Sequence, residues 1–472
     1  MAFLIGGANS AADTAYEVAN SCRFNDDDSA SMTTTGLGTP TSKRAATFSF
    51  WIKRGNLGIN TAFFGGESDS NDYGQIGFDS SDNIQCYIEI NGATELNLVT
   101  TAKYRDPSAW YHVALIIDGS QGTAANRAKL YVNGTQVTVF GTAEYMNQNT
   151  DLAFLETHLP ANAFIGVRKQ GGSLSRHFDG YIAEAVYLDG TSAAIGDLGE
   201  FDSDSPRIWK PKDVSGLTFG NNGFYLDFED SGNLGDDESG NTLDFSETNI
   251  AATDQCTDTP TNNFATWNSV VYSDIGFSEG NTIAVGTSDW GATAATIALP
   301  NAGKWYYEIQ VSSTSVYGIM GFMPYEEEMK TGTPDGNGDF IGYQTNDTFY
   351  NGGGYEENKF SHSSSANDIY MFAADVTDNT AVDFYIGVNG TWFGSGDPAN
   401  GSNPAVNNFN CSTKTWAPGV WFYDLNALTN FGNPPFSISS GNADGDGYGN
   451  FEYAPPSGFF ALNSKNVGEY GG

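Results

Sequence analysis

Two Asn-Gly dipeptides, each set between short runs rich in apolar residues, do most to restrict the folds open to this chain. Asn133-Gly134 divides KLYV (129–132) from TQVTV (135–139), and Asn389-Gly390 divides VDFYIGV (382–388) from TWFG (391–394). Two central residues at positive φ match the twist of an antiparallel pair, and Asn-Gly supplies them readily. Each hairpin follows another strand-like run, WYHVALIID (110–118) or DIYMFAADV (368–376). Elsewhere the period is two. Phe48, Phe50 and Ile52 alternate with Ser49, Trp51 and Lys53, and Trp305, Tyr307, Ile309 and Val311 alternate with Tyr306, Glu308 and Gln310. FIGV (164–167), HFDGYIAEAVYLDG (177–190), YGIMGF (317–322) and GDFIGYQ (338–344) add further strands. Helical periodicity with caps is hardly sustained anywhere. With 57 glycines and 14% aromatic residues to serve turns and cores, the fold class is all-β.

Residues 221–268 organise the chain. GFYLDF (223–228) reads as a closing strand, 231–241 as a surface loop of glycine, asparagine and acids, and 254–263 as nearly free of apolar residues. The expected division is therefore an N-terminal arm over 1–20, a first sandwich over 21–250, a linker over 251–267 and a second sandwich over 268–472. The two halves echo each other in LIIDGS…LYVNGT and AADVTD…YIGVNGT, too sparsely to form a sequence repeat.

Several ordered motifs carry family resemblances. FNDDDSASM (24–32), WYHVA (110–114), LYVNG (130–134) and FDGYIAE (178–184) are similar to the laminin-G/concanavalin-like family, which implies two antiparallel sheets packed as a jelly roll. The family's YLDFEDSGN…DDESGN element usually precedes the first strand, whereas here it occupies 225–241. A permuted edge strand beside the first strand would fill the same slot. GKWYYE (303–308), DIYMFAADV (368–376), FYIGVNG (384–390) and NFGNPPF (430–436) resemble a SPRY domain. The resemblance thus implies two concanavalin-like jelly-roll sandwiches in tandem. The 221–268 stretch, with GYGNFEYAPPSGFFALNSKNV (447–467), also looks like a signature of tailed-bacteriophage structural proteins.

The charge excludes some partners. Lys+Arg 20 against Asp+Glu 57 leaves −37, without the clustered cations that replace counterions on nucleic acid. Anionic membranes would repel the chain, and no apolar run approaches membrane-spanning length. Cys22, Cys86, Cys256 and Cys411 form no C-x-x-C pair and read as buried free thiols. The N-terminus lacks the cationic region of a secretory signal.

Motifs for catalysis are weak. Gly276-Phe277-Ser278-Glu279-Gly280 matches G-x-S-x-G, but the strand-like NTIAVG after it replaces the helix a nucleophile elbow requires. His112, His158, His177 and His362 are scattered, and His112 lies in an apolar strand. No Glu-x-Asp-x-x-Glu run offers the paired carboxylates of a glycosidase. Asp179 and Glu184 read as structural acids, and no enzyme is expected.

Two groups remain as candidate sites. Asn442, Asp444, Asp446 and Asn450, with Gly447 at the turn, have calcium-loop spacing, although Tyr453 stands where a bidentate Glu is expected. Asp335, Asn337 and Asp339 form a weaker version. Tyr325, Tyr355 and Trp392 lie in or beside loops of the second half, where an aromatic face can stack on a sugar. The segments 323–339 and 351–367 are long enough for recognition loops. The resemblance implies a non-enzymatic virion protein, assembled in the host cytoplasm: a tail fibre or receptor-engaging appendage contacting host-surface glycan or protein. A capsid decoration or head-fibre protein and a secreted cellular adhesin are the alternatives. Expected partners are other virion proteins and further copies of the chain, as a homo-oligomer and specifically a trimer, with no nucleic acid and no membrane insertion.

Overall fold

The computed structural model describes residues 16–152, 161–312, 318–325 and 340–472. It is all-β, and it divides into two compact units, one ending at Thr261 and the other taking up at Asn262.

The first unit contains β1 (Ser21–Phe24), β2 (Ser31–Leu37), β3 (Ala45–Arg54), β4 (Thr61–Asp69), β5 (Asp72–Phe78), β6 (Ile84–Ile90), β7 (Ala93–Thr100), β8 (Trp110–Asp118), β9 (Ala128–Val132) and β10 (Thr135–Gln136). It continues with β11 (Phe140–Glu144), β12 (Ala161–Ile165), β13 (Arg168–Gln170), β14 (Ser173–Ser175), β15 (Gly180–Asp189), β16 (Gly199–Phe201), β17 (Trp209–Pro211), β18 (Phe224–Leu226), β19 (Ser246–Thr248) and β20 (Gln255–Cys256). One sheet runs β10-β9-β8-β3-β15-β1-β20, and the other runs β11-β7-β6-β5-β4-β12-β2-β19. Phe48, Phe50, Ile52, Val113 and Leu115 of the first sheet meet Phe64, Ile76, Phe78, Ile88 and Leu98 of the second in one core. Each such side chain contributes roughly 1.5–3 kcal/mol on burial.

The Asn133-Gly134 turn forms as expected: φ is 46° and 71°, and Val132 pairs with Thr135. A Cβ on Gly134 would sit 2.1 Å from the Trp209 ring, so this turn needs glycine for space as well as for φ. GFYLDF supplies β18, which lies along β15 at Ala185–Tyr187, while β1 lies along the same edge at Gly180–Ile182. The first strand and the displaced motif therefore share one edge of one strand.

Residues 251–267 do not form the expected linker. Gln255 and Cys256 pair with β1, and the buried Asp258 carboxylate accepts from Lys53 Nζ at 2.6 Å and Trp110 Nε1 at 3.0 Å. The segment is poor in apolar residues because its polar side chains are used inside the unit. The arm is also shorter than expected. Val18 is buried, and its backbone exchanges hydrogen bonds with Thr261 Oγ1 in both directions. Residues 1–15 lie outside the described residues.

The second unit contains β21 (Trp267–Ser273), β22 (Ile275–Ser278), β23 (Ile283–Gly286), β24 (Gly291–Ala295), β25 (Lys304–Val311), β26 (Gly318–Pro324), β27 (Ile341–Gln344) and β28 (Thr348–Asn351). It ends with β29 (Tyr355–Glu357), β30 (Ile369–Asp375), β31 (Val382–Val388), β32 (Thr391–Trp392), β33 (Val406–Phe409), β34 (Trp416–Phe422), β35 (Asn426–Asn430), β36 (Phe460–Ala461) and a short helix α1 (Ser464–Tyr470). Seven strands run β21-β24-β34-β26-β27-β28-β29; the facing sheet runs β22-β23-β35-β25-β30-β31-β32, with β33 on β31 and β36 on β25. Trp267, Trp305, Tyr307, Phe322, Tyr343, Phe372 and Phe384 fill the core between them. The G-x-S-x-G stretch is the hairpin joining β22 to β23, with Glu279, Gly280 and Asn281 at positive φ. It is a turn, and no helix follows.

Candidate functional site: a polar sheet face in the first unit

A two-sheet sandwich has two outer faces, and three of the four here carry apolar clusters. Trp51, Trp110, Tyr181 and Trp209 pack on the outer side of the β3-β8-β15 sheet. Tyr306, Met371, Tyr385, Phe451 and Phe459 form a cluster on the β25-β30-β31 sheet. Ile319, Met323, Phe340 and Trp421 form one on the β24-β34-β26 sheet.

The fourth face, across β4 to β7, is polar. In β6 burial alternates strictly: Ile84, Cys86, Ile88 and Ile90 point into the core, leaving Gln85, Tyr87 and Glu89 outward and half-buried. Asn97 of β7 stands opposite Tyr87, and Gln75 of β5 stands opposite it on the other side. A side-chain chain crosses the three strands: Gln75 Nε2 donates to Gln85 Oε1 at 3.1 Å, and Gln85 Nε2 donates to Asn97 Oδ1 at 3.3 Å. The Tyr73 and Tyr87 rings lie 5.7 Å apart, and both hydroxyls donate to Glu89 Oε2, at 3.2 and 2.7 Å. Burial, then Tyr87 and Glu89, raise the Tyr73 pKa, so its hydroxyl remains a donor.

The β13–β14 hairpin borders this face. Gly65 of β4 makes room for it, since a Cβ there would meet Val167 O at 2.6 Å and Arg168 Cα at 3.1 Å. Lys169 pairs with Glu67 at 3.4 Å, and the Arg168 guanidinium lies over the Tyr73 ring at 6.0 Å. Arg176, just past the hairpin at φ 61°, reaches Gln85 Oε1 with Nη1 at 3.4 Å. Gln75 is 4% exposed, and its Oε1 has no hydrogen-bond partner; the same holds for the buried Nε of Arg168. Amides, hydroxyls, two tyrosine rings and a carboxylate on one half-buried surface form the donor and acceptor set that reads a polyhydroxylated ligand. The sequence reading passed over these residues, although the alternation in IQCYIEI (84–90) marks Gln85, Tyr87 and Glu89 as outward.

The expected sites are arranged differently. Asp444 Oδ1 accepts from the backbone N–H groups of Asp446 and Tyr448, and Oδ2 accepts from Ala461 N and Asn466 Nδ2. Asn442 Nδ2 donates to Ser440 Oγ and to the Glu452 carbonyl, while Asn450 joins the loop through its backbone, donating to Gly432 O. Asp444 organises a turn with both of its carboxylate oxygens already engaged by protein donors. Asp335, Asn337 and Asp339 lie outside the described residues, as do His158 and most of the 323–339 segment. Tyr325 accepts a hydrogen bond from Asn268 Nδ2 and packs on the β24-β34-β26 face, whereas Trp392 packs with Tyr306 and Tyr385 on the opposite sheet. Tyr355, on the edge strand β29, is 52% exposed. The three aromatics therefore do not form one site.

Two buried clusters resemble catalytic groups without their chemistry. Trp209 Nε1 can only donate, so His112 Nδ1, at 3.0 Å, accepts. The proton is then on Nε2, which donates to Ser49 Oγ at 2.8 Å. Burial pushes the His112 pKa down to about 3, and this tautomer cannot take a proton from Ser49. Glu184, at φ 48° in a bulge of β15, is pushed up to about 8 by burial, with the hydroxyls of Tyr225 and Tyr16 donating to it. It is 4% exposed, beneath those two tyrosines.

Residues 25–192, which contain this face, match a laminin-G profile of the Concanavalin A-like lectin/glucanases superfamily. No curated protein matches the chain. Solved structures similar to it include a heptameric SAP-like pentraxin from Limulus polyphemus, 14% identical over 45% of this chain and 94% of that one, TM-score 0.30. The mouse laminin alpha1 LG4-5 domains are 10% identical over 88% and 84%, TM-score 0.29. The SPRY domain of human HERC1 is 12% identical over 34% and 96%, TM-score 0.25. At these values no ligand or activity is inferred from them.

Proposed function

We propose that this chain is a non-enzymatic glycan-binding structural protein, built into the particle of a tailed bacteriophage as a tail fibre or other receptor-engaging appendage. The observation that carries glycan binding is the Gln75–Gln85–Asn97 chain beside the Tyr73–Tyr87 pair, on the one polar outer face among the described sheets. Sugar hydroxyls pair with side-chain amides in both senses, as donors and as acceptors. The virion assignment rests on the motifs at 221–268 and 447–467. Assembly as a homotrimer, with the N-terminal residues contacting other virion proteins, belongs to the same reading. The exposed Tyr355 keeps the second unit available for a further host contact.

The test is binding of the full chain to a glycan array and to host cells, beside a Gln85→Ala, Asn97→Ala double variant. Saccharide binding that the double variant loses, with thermal unfolding unchanged, supports the reading. Absence of binding to every saccharide, or equal binding by the variant, refutes it. Immunogold labelling of purified particles tests the location: label at the tail supports an appendage, label over the capsid favours decoration, and no label removes the virion assignment.

A further inference from the structure

The polar face has one electrostatic property that sugar binding alone does not require. With 57 carboxylates to 20 lysines and arginines, a cation in this chain has an acidic partner within easy reach. Many take one: Arg23 pairs with Asp254, Arg54 with Asp82, Lys210 with Asp202 and Lys304 with Asp375. Arg168 and Arg176 do not, and unlike the exposed Lys103 and Arg207, which also lack one among the described residues, they are half-buried. Arg168 Nη2 donates to Ser175 Oγ at 3.0 Å, its Nε is buried without a partner, and Arg176 Nη1 reaches only the Gln85 amide oxygen. Neither has a carboxylate within 4.0 Å among the described residues.

The two guanidiniums are near enough to repel each other. Burial lowers the Arg176 pKa, and the charge of Arg168 lowers it further. Holding like charges together, half-buried, costs free energy that a neighbouring acid would remove. Two acids on this face are committed elsewhere, and Glu144, opposite Asn97, lies on the end strand β11. Glu67 binds Lys169 and the Gly172 N–H, and Glu89 holds the two tyrosine hydroxyls. Gln75 Oε1 remains a buried acceptor without a donor, one amide away from the oxygen that Arg176 touches. The site thus lacks an anion at the arginines and a hydroxyl donor at Gln75.

We infer that the polar face of the first unit binds an acidic saccharide, its carboxylate or sulfate taken by Arg168 and Arg176 and a hydroxyl donated to Gln75 Oε1. This rests on the glycan-binding reading and narrows it to a ligand class. Guanidiniums suit both oxyanions, because their fork matches paired oxygens. The net charge of −37 does not forbid it: at physiological salt, exposed charges more than about 8 Å away are largely screened.

Titration calorimetry on the full chain decides the matter, with three probes: tetragalacturonate, its fully methyl-esterified form and a chondroitin sulfate tetrasaccharide. The expected result is tighter binding, by roughly tenfold or more, of at least one acidic probe over the neutral ester. Added salt weakens that preference, and an Arg168→Gln, Arg176→Gln double variant whose thermal unfolding is unchanged loses it. Preference for tetragalacturonate or for the sulfated probe identifies the oxyanion. Equal affinity for ester and acids, or a preference the arginine variant keeps, overturns the inference and leaves the glycan reading standing. No binding of any probe, with the glycan array also blank, removes both.

Discussion

Glu308 offers a test of how burial and hydrogen bonding divide the energy of a buried acid. Its carboxylate is fully buried on β25 and accepts from Tyr306 Oη at 2.8 Å, Asn430 Nδ2 at 3.1 Å, Glu452 N at 3.0 Å and Tyr453 N at 2.8 Å. Burial outweighs these four donors and raises the pKa to about 7, from an ordinary value of 4.5. A raised folded-state pKa means the native protein holds this proton more tightly than the unfolded chain does. The contribution to stability is therefore complete below pH 4.5 and is lost as pH rises through 7. The difference of about 2.5 units, at 1.36 kcal/mol each, is about 3 kcal/mol. A Glu308→Gln variant cannot ionise and should lack this slope. The assay is urea unfolding of the full chain at pH 5 and pH 8, read by pulsed hydrogen exchange on Lys304–Val311 so that the second unit reports alone. At roughly 2–3 kcal/mol per molar urea, the wild-type midpoint should fall by about 1 M relative to the variant between the two pH values. Parallel behaviour of the two proteins would refute the reasoning, because the donors would then have cancelled the cost of burial.

Three further outcomes are expected. His112 has the opposite linkage: its folded pKa of about 3 lies below the unfolded 6.5, so the first unit should lose about 2 kcal/mol between pH 7 and pH 5; His112→Phe should flatten that loss, as read by exchange on Trp110–Asp118. Asp444→Ala removes an acceptor of four hydrogen bonds and should cost roughly 2–4 kcal/mol, while melting temperature should be the same in EDTA and in millimolar calcium if the loop is a hydrogen-bonded turn; a calcium-dependent rise would instead support the metal-loop assignment. Gly134→Ala places a Cβ against Trp209 at positive φ and should destabilise the first unit by roughly 1–3 kcal/mol, whereas Gly240→Ala, also at positive φ but with nothing within 4 Å of a Cβ, should cost less.

Strands were legible wherever local chemistry and tertiary role agree. The two Asn-Gly turns, the β3 and β25 alternations and the β18 edge strand follow from residues a few positions apart. The boundary between units was not legible in the same way. Asp258 sits in a segment whose composition reads as linker, and only the arrival of Lys53 and Trp110, far away in sequence, makes it interior. The hydrogen bonding of the 442–450 loop was illegible for a related reason. Spacing alone suggests oxygen ligands, but the donors that satisfy Asp444 include Ala461 and Asn466, outside the motif. Asp, Asn and Gly at alternate positions serve a hydrogen-bonded turn as well as a metal loop.

The polar face was illegible because its meaning depends on comparison with the other three. Gln85, Tyr87 and Asn97 on a solvent-side strand face are ordinary residues, and any one of them would pass as a soluble surface. What sets them apart is that the remaining outer faces of both units bury Trp51, Tyr306 or Trp421 under apolar clusters. A face left polar in such a chain gives up the stabilisation that further apolar burial would bring. It also holds a glutamine oxygen and an arginine nitrogen buried without partners, each costing roughly 1–3 kcal/mol. Fold stability alone would favour an apolar side chain at the buried Gln75. Holding Gln75, Arg168 and Arg176 together is destabilising in isolation and becomes favourable once an external ligand supplies the missing anion and donor.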